Sequence, residues 1–416
     1  MIKERLEQLR ALMAEHHMDA YMIPTSDFHE SEYVGDYFKC REFITGFTGS
    51  AGTAVITKNE AGLWTDGRYF VQAGKELEGT GITLRKMGQP GVPTIEEYLE
   101  ETLPENGCLG FDGRVINGQT GRELEALLED KHVTIAYDKD LVGQIWKERP
   151  DLSAEQAWIL KENYAGKSSA EKIEELRCKM KKEKATVHII TTLDDIAWLL
   201  NIRGNDVECN PVVLSYGLVT MDRFYLFINE EVLNGNVRDY LKSLGVTVCA
   251  YDGIYQAVRQ LKGERILLET GKANYAIVKS IGDSNQLINK MNPTALSKAV
   301  KNPTEIENMR KAHIKDGVAM VKFIYWLKHH VGKERITEVS AQEYLDQLRS
   351  EQEGNLGISF DTISAYGANA AMCHYKATSE NDTVLEPKGL YLVDSGGQYY
   401  EAVSYTHLRA HETAAN

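Results

Sequence analysis

No run in the 416-residue chain approaches the ~18 consecutive apolar residues that a membrane-spanning helix requires, so a membrane partner is not expected. Basic residues are in deficit, with 47 Lys and Arg against 61 Asp and Glu and a net charge of -14. A general nucleic-acid partner is therefore not expected either, because phosphate binding wants a basic face. Cysteines are few and scattered, at Cys40, Cys108, Cys178, Cys209, Cys249 and Cys373. None forms a CxxC pair, and the spacing reads as reduced thiols rather than a disulfide framework or a zinc site. The opening MIKERLEQLR starts an amphipathic helix and lacks the apolar segment of a secretory signal, which predicts a cytoplasmic protein. Gly46, Gly49 and Gly52 have neither GxGxxG spacing nor a GK[ST] ending, so they read as a tight turn rather than a phosphate loop.

What remains is 43% hydrophobic and 26% charged, enough for real cores in two or three domains. The chain repeats itself. RLEQLRALMAEHHMDAYMIPTSD (5–27) aligns without gaps to KIEELRCKMKKEKATVHIITTLD (172–194), matching Leu9 with Leu176, Met13 with Met180 and Asp27 with Asp194. Each copy is a helix of three- and four-residue apolar spacing followed by a short apolar strand. Strand-like runs follow in both: TAVI and GLWTD in the first, PVVLSY and RFYLFI in the second. Two tandem α/β domains with mixed sheets are expected, at 1–153 and 154–301, since the period is too long for a solenoid.

Capping patterns at Ser168 with Glu171, and at Thr304 with Glu307, are expected to open the second copy's repeat helix and a third element. A long helix follows, with Ile306, Met309, Met320, Phe323 and Leu327 on one face. After a second helix, GLYLVD reads as a buried strand delivering Asp394 to its end, with Ser395, Gly396 and Gly397 turning the chain. A carboxylate on a rigid strand suits a hard divalent cation, and equally suits capping a turn. The ion-forming Asp66 and Arg68, and the pairs His16–His17 and His329–His330, read as structural features of turns and helix ends.

NPTEIENMRKAHIKDG, SFDTISAYG, the His374–Tyr375 pair and YLVDSGGQY together resemble the catalytic domain of the Xaa-Pro aminopeptidases (aminopeptidase P), which have the pita-bread fold. FITGFTGSAGTAVI and LWTDGRYFVQA resemble their N-terminal domain, and TLDDIAWLLNIRGNDVECNPV the middle domain of the long, three-domain cytosolic type. The resemblance implies two tandem creatinase-like α/β domains and then a truncated pita-bread α+β domain over 302–402. It implies hydrolysis of the bond between an N-terminal residue and a following proline, by two divalent metal ions, usually manganese. It also implies a homodimer and peptide substrates with proline second. Asp394 resembles the first of five metal ligands, and His374 the histidine that contacts substrate and helps proton movement. Phe360 and Tyr366 fall in the region that lines the substrate pocket, where core packing is an equally good account. Relatives such as creatinase, which cleaves a non-peptide C–N bond without metal, and a non-catalytic binding or dimerisation module are the rival readings.

The resemblance breaks near the end. The family's second metal Asp, eleven residues past the first, is here Tyr405, and the remaining ligands of the pattern are not found. VSYTHLRAHET is one translation frame of a DNA string that resembles a transposase-based sequencing adapter, so 403–416 is expected to be a library artefact, and the chain inactive. His407, His411 and Glu412 are accordingly discounted; HLRAHE also fails the HExxH order of zinc peptidases.

Overall fold

The computed structural model describes residues 2–410, with side chains to residue 405. The chain forms two compact units, one built mainly from 1–298 and the other from 160–168, 208–211 and 299 onward.

The first unit holds the duplication. Its first sheet comprises β1 (Ala20–Pro24), β2 (Thr53–Thr57), β3 (Ala61–Thr65), β4 (Thr83–Lys86), β5 (Cys108–Gly110) and β6 (Thr134–Ala136), in the order β4-β3-β2-β1-β5-β6. A two-stranded pair, β7 (Trp158–Ile159) with β9 (Ile202–Arg203), accompanies the second copy. The second sheet comprises β8 (Val187–Ile190), β10 (Ser215–Thr220), β11 (Phe224–Ile228), β12 (Val246–Cys249), β13 (Arg265–Leu268) and β14 (Gln286–Asn289), ordered β12-β11-β10-β8-β13-β14. The two orders are the same, strand for strand. In each sheet three neighbouring strands run antiparallel and the outer partners join them parallel. Apolar residues at helical spacing explain the packing: Leu6, Leu9 and Met13 are buried on the first copy's helix, and Ile173, Leu176 and Met180 on the second's. The two copies meet through the helix caps Asn117 and Asn274, whose backbones form an isolated bridge. Gly121 lets the ring of Tyr275 lie against the helix there, since a Cβ would collide with it.

The second unit begins with the 28-residue helix Pro303–His330. Its cap is Asn302 with Glu305, two residues before the expected Thr304 and Glu307. Pro303 explains the shift: at the first helical position its missing N–H costs nothing, and the asparagine before it is a strong cap. The buried face is Asn308, Ala312, Asp316, Ala319, Met320, Phe323 and Leu327, whereas Ile306 is exposed. Periodicity of apolar residues missed the two polar members because each is buried with partners. Asn308 donates to the carbonyls of Asn163 and Tyr164, and Asp316 pairs with Arg349. The helix Glu338–Ser350 packs beside it through Ala341, Leu345 and Leu348. Both cover a sheet of β15 (Asn355–Ile358), β16 (Ile363–Tyr366), β17 (Tyr391–Tyr399) and β18 (Val403–Ala410). β17 is central: β15 and β16 share one of its edges, and β18 pairs along the other.

The expected turn at Ser395–Gly397 is not there; β17 runs unbroken through it. The glycines serve close approach instead. A Cβ at Gly396 would collide with Oγ of Ser359 and stand 2.8 Å from the carbonyl oxygen of Ser404. One at Gly397 would stand 2.9 Å from the ring of Tyr399 and 3.3 Å from Oδ1 of Asp316. Among the described residues no helix is long and apolar enough to cross a membrane.

Candidate functional site

β17 presents its two faces differently. Tyr391 and Val393 pack into the core beneath the two helices, and the hydroxyl of Tyr399 reaches Asp316 at 3.3 Å. By strand alternation Asp394 lies on the opposite face, with Gly396 and Gln398. Asp394 sits opposite Ile363 of β16 and His407 of β18, and Tyr405 sits opposite Gly396. Residues directly opposite share a face, which brings Tyr405 beside Asp394. The Tyr405 hydroxyl hydrogen-bonds to the Asp394 carboxylate. Partial burial, followed by that carboxylate, pushes the Tyr405 phenol above its ordinary value. The ring of Phe360 stands 5.5 Å from that of Tyr405. Asp394 and Phe360, both singled out in the sequence, are thus joined through a residue that replaces an expected carboxylate.

His374 lies on the connection between β16 and β17, exposed, in the left-handed region at φ 54°. Its neighbour Tyr375 is buried, and its hydroxyl donates to Oε2 of Glu338 at 2.8 Å. Burial, then that carboxylate, pushes the Tyr375 phenol well up. Tyr366 ends β16; its ring packs against the helix-covered core and its hydroxyl donates to the carbonyl of Lys388. Phe360 therefore touches the Asp394–Tyr405 pair through the Tyr405 ring, whereas Tyr366 faces the core.

Three functional-looking side chains escaped the sequence reading. Glu338 is fully buried at the first position of its helix, where an acid reads as an ordinary partner of the helix dipole. Asp316 and Arg349 form an interior ion pair, Nε to Oδ1 at 2.7 Å, and Ser404 of β18 donates to Oδ2 of Asp316 at 3.1 Å. Nothing in one sequence marks two charges, thirty-three residues apart on two helices, as partners.

The donor set does not fit two divalent cations. Among the described residues no three His, Cys, Asp or Glu side chains come together to hold a metal ion. Tyr405 adds a hydroxyl where a bridging carboxylate would be needed. His411 and Glu412 lie outside the described residues, as does the side chain of His407.

Comparison with known proteins supplies the frame. The description "Creatinase/Prolidase N-terminal domain" fits residues 5–139 and again 148–305, and "Metallopeptidase family M24" fits residues 307–407. A probable Xaa-Pro aminopeptidase P from Talaromyces marneffei is 41% identical over 98% of this chain and 64% of its own length. The same description belongs to a Sordaria macrospora protein, 38% identical over 96% of this chain and 68% of its own. The crystal structure of X-prolyl aminopeptidase from Caenorhabditis elegans, described as a cytosolic enzyme with a di-nuclear active site, superposes with a TM-score of 0.93 at 32% identity. It covers the whole of this chain, which spans 70% of it. The chain thus spans about two-thirds of the length of such relatives. With two stretches that match the creatinase-type domain and a third that matches the M24 family in sequence, the chain belongs to the Xaa-Pro aminopeptidase P family.

Proposed function

We propose that the protein in its native form hydrolyses the peptide bond between an N-terminal residue and a following proline, using two divalent cations, manganese foremost. The observation that carries this reading is the placement of Asp394, on the central strand β17 and on the face opposite Tyr391 and Val393. This lies in a chain whose full length follows relatives of that description. Asp394 would be a metal ligand. His374, exposed on the connection between β16 and β17, would contact substrate and carry a proton near the scissile bond. Phe360 would form part of the substrate wall, and Tyr366 would support it from the core. Peptides with proline second are the substrate class, a homodimer the assembly and the cytoplasm the compartment.

The same geometry favours a second statement, that this 416-residue chain is itself catalytically silent. Tyr405 occupies Asp394 with a hydroxyl, and the described residues offer no further ligands to complete a metal pair. We attribute Tyr405 to adapter-derived sequence from residue 403 onward.

The test joins a sequencing run to an assay. The source DNA is read across the Ala402 codon, and the protein encoded by the native frame is assayed on a peptide with proline second, with and without chelator. Chelator-sensitive release of the first residue by the native protein, and none by this chain, is expected. If the native frame encodes Tyr405 and stops at Asn416, or if the native protein leaves the peptide intact, the proposal fails.

A further inference from the structure

A carboxyl group buried in the interior needs hydrogen-bond partners on every side, and Glu338 has them. Its carboxylate is 0% exposed. Oε1 accepts from the backbone N–H of Tyr366 at 2.6 Å and from Nδ2 of Asn369 at 3.1 Å. Oε2 accepts from the hydroxyl of Tyr375 at 2.8 Å, the N–H of Thr383 at 3.2 Å and Nδ2 of Asn369 at 3.2 Å. The backbone N–H of Glu338 donates to the carbonyl of Thr383 in the same segment, and its carbonyl accepts from Oγ of Ser364 on β16 just before it. All four residues that donate to the carboxylate come from 366–383, and they bracket His374 on both sides. The adjacent Val339 N–H donates to Oδ1 of Asp382 at 3.1 Å, closing the same loop.

A carboxylate serving only its own helix would be satisfied by first-turn amides and could stay in water. Here its donors are spent on one long connection, which contains a non-glycine residue, His374, in the left-handed region. Such a backbone persists only where its surroundings over-determine it. The residue after His374 hangs its buried hydroxyl on Oε2. We infer that Glu338 is a positioning residue: from the start of its helix it fixes the 366–383 connection and so sets where the His374 imidazole stands. The functional meaning rests on the reading of His374 given above; the clamp itself does not.

The test uses the full chain labelled at the histidine ring carbons, with the His374 signal assigned by its loss in His374→Gln. In Glu338→Ala the His374 signal should move and sharpen, while that of His188, buried in the other unit, stays in place. Cleavage by trypsin after Lys376 should quicken at least roughly tenfold, because each stranded buried donor shifts local opening by that order. Because losing the Glu338 carboxylate strands several buried donors and threatens folding, Tyr375→Phe, which removes one donor and keeps the ring, is run beside Glu338→Ala. It should move the His374 signal in the same direction by less. An unmoved His374 signal in Tyr375→Phe, or in a folded Glu338→Ala, overturns the inference. If the signal moves but His374→Gln leaves turnover of the native-length protein intact, the clamp stands and the catalytic reading of His374 falls.

Discussion

Arg349 donates through Nε to Oδ1 of Asp316 at 2.7 Å, and its side chain is 1% exposed where that of Asp316 is 0%. The acid takes two further donors, the hydroxyls of Tyr399 and Ser404, so both helices and two strands converge on one carboxylate. Nη1 of Arg349 is buried with no hydrogen-bond partner among the described residues.

Breaking this pair from one side strands a charge in the interior. Asp316→Ala or Arg349→Ala should each destabilise the second unit by about 3–5 kcal/mol. The double replacement Asp316→Leu with Arg349→Met removes both charges and should cost clearly less than either single change. Hydrogen exchange of the helix amides around Ala319 reads the unit without interference from the rest. Equal losses in the singles and the double would deny that the two charges are coupled.

One turn before Arg349, Asp346 is pushed up to about 6, chiefly by burial, with the Arg349 charge pulling the other way. Its folded-state value lies above the ordinary 3.8, so the folded protein holds the proton more tightly than the unfolded chain. The stability this confers is complete below about pH 4, declines as pH rises towards about 6 and is absent above. Allowing for solvent screening, the swing should be about 1–2 kcal/mol. Asp346→Asn should flatten it, and should stabilise the unit at pH 7 more than at pH 4.5. Denaturant titrations of both proteins at the two pH values decide this; parallel pH profiles would rule it out.

Which parts of this molecule a single sequence discloses follows from how each is encoded. The duplication is legible because Leu9, Met13, Leu176 and Met180 are apolar for one reason, packing at helical spacing, and spacing survives in a string of letters. Asp394 was legible because a strand pattern ran straight into it. The turn after it was misplaced, since Ser-Gly-Gly is written identically whether glycine bends a chain or lets another strand approach; only Ser359 and Ser404, from elsewhere in the chain, distinguish the two. Glu338 and Asp316 were invisible for a related reason. A buried carboxylate is defined by donors such as Tyr375 and Arg349, and their nearness is a product of folding.

Gly396 turns that lesson into a measurement. Gly396→Ala would press a methyl group on Oγ of Ser359 and the carbonyl of Ser404, with Cε1 of Phe360 at 3.2 Å. Overpacking of this kind should cost about 1–3 kcal/mol. Ser359→Ala on the same background removes the yielding neighbour and should recover part of the loss, leaving the backbone contact with Ser404. Thermal unfolding of the single and double variants gives the answer. A Gly396→Ala protein as stable as the parent would mean that β17 and its neighbours do not approach as closely as described.

Tyr405 decides how the chain answers a metal ion. A phenol hydrogen-bonded to Asp394 is a poor ligand for a hard divalent cation, and one carboxylate alone holds such an ion weakly. Millimolar manganese should therefore leave the melting temperature of the second unit unchanged, and chelator should leave it unchanged as well. Tyr405→Asp replaces the hydrogen bond by a second carboxylate on the same face, two like charges whose repulsion a cation relieves. That variant should melt lower than the parent in chelator and recover when manganese is added, since a ligand stabilises only the state that binds it. Tyr405→Phe separates the two causes: it loses the hydroxyl without gaining charge, and should melt slightly lower than the parent with or without the metal. Manganese stabilising the parent and Tyr405→Phe proteins as strongly as Tyr405→Asp would show that the cation binds elsewhere, and that the hydroxyl on Asp394 is no barrier to it.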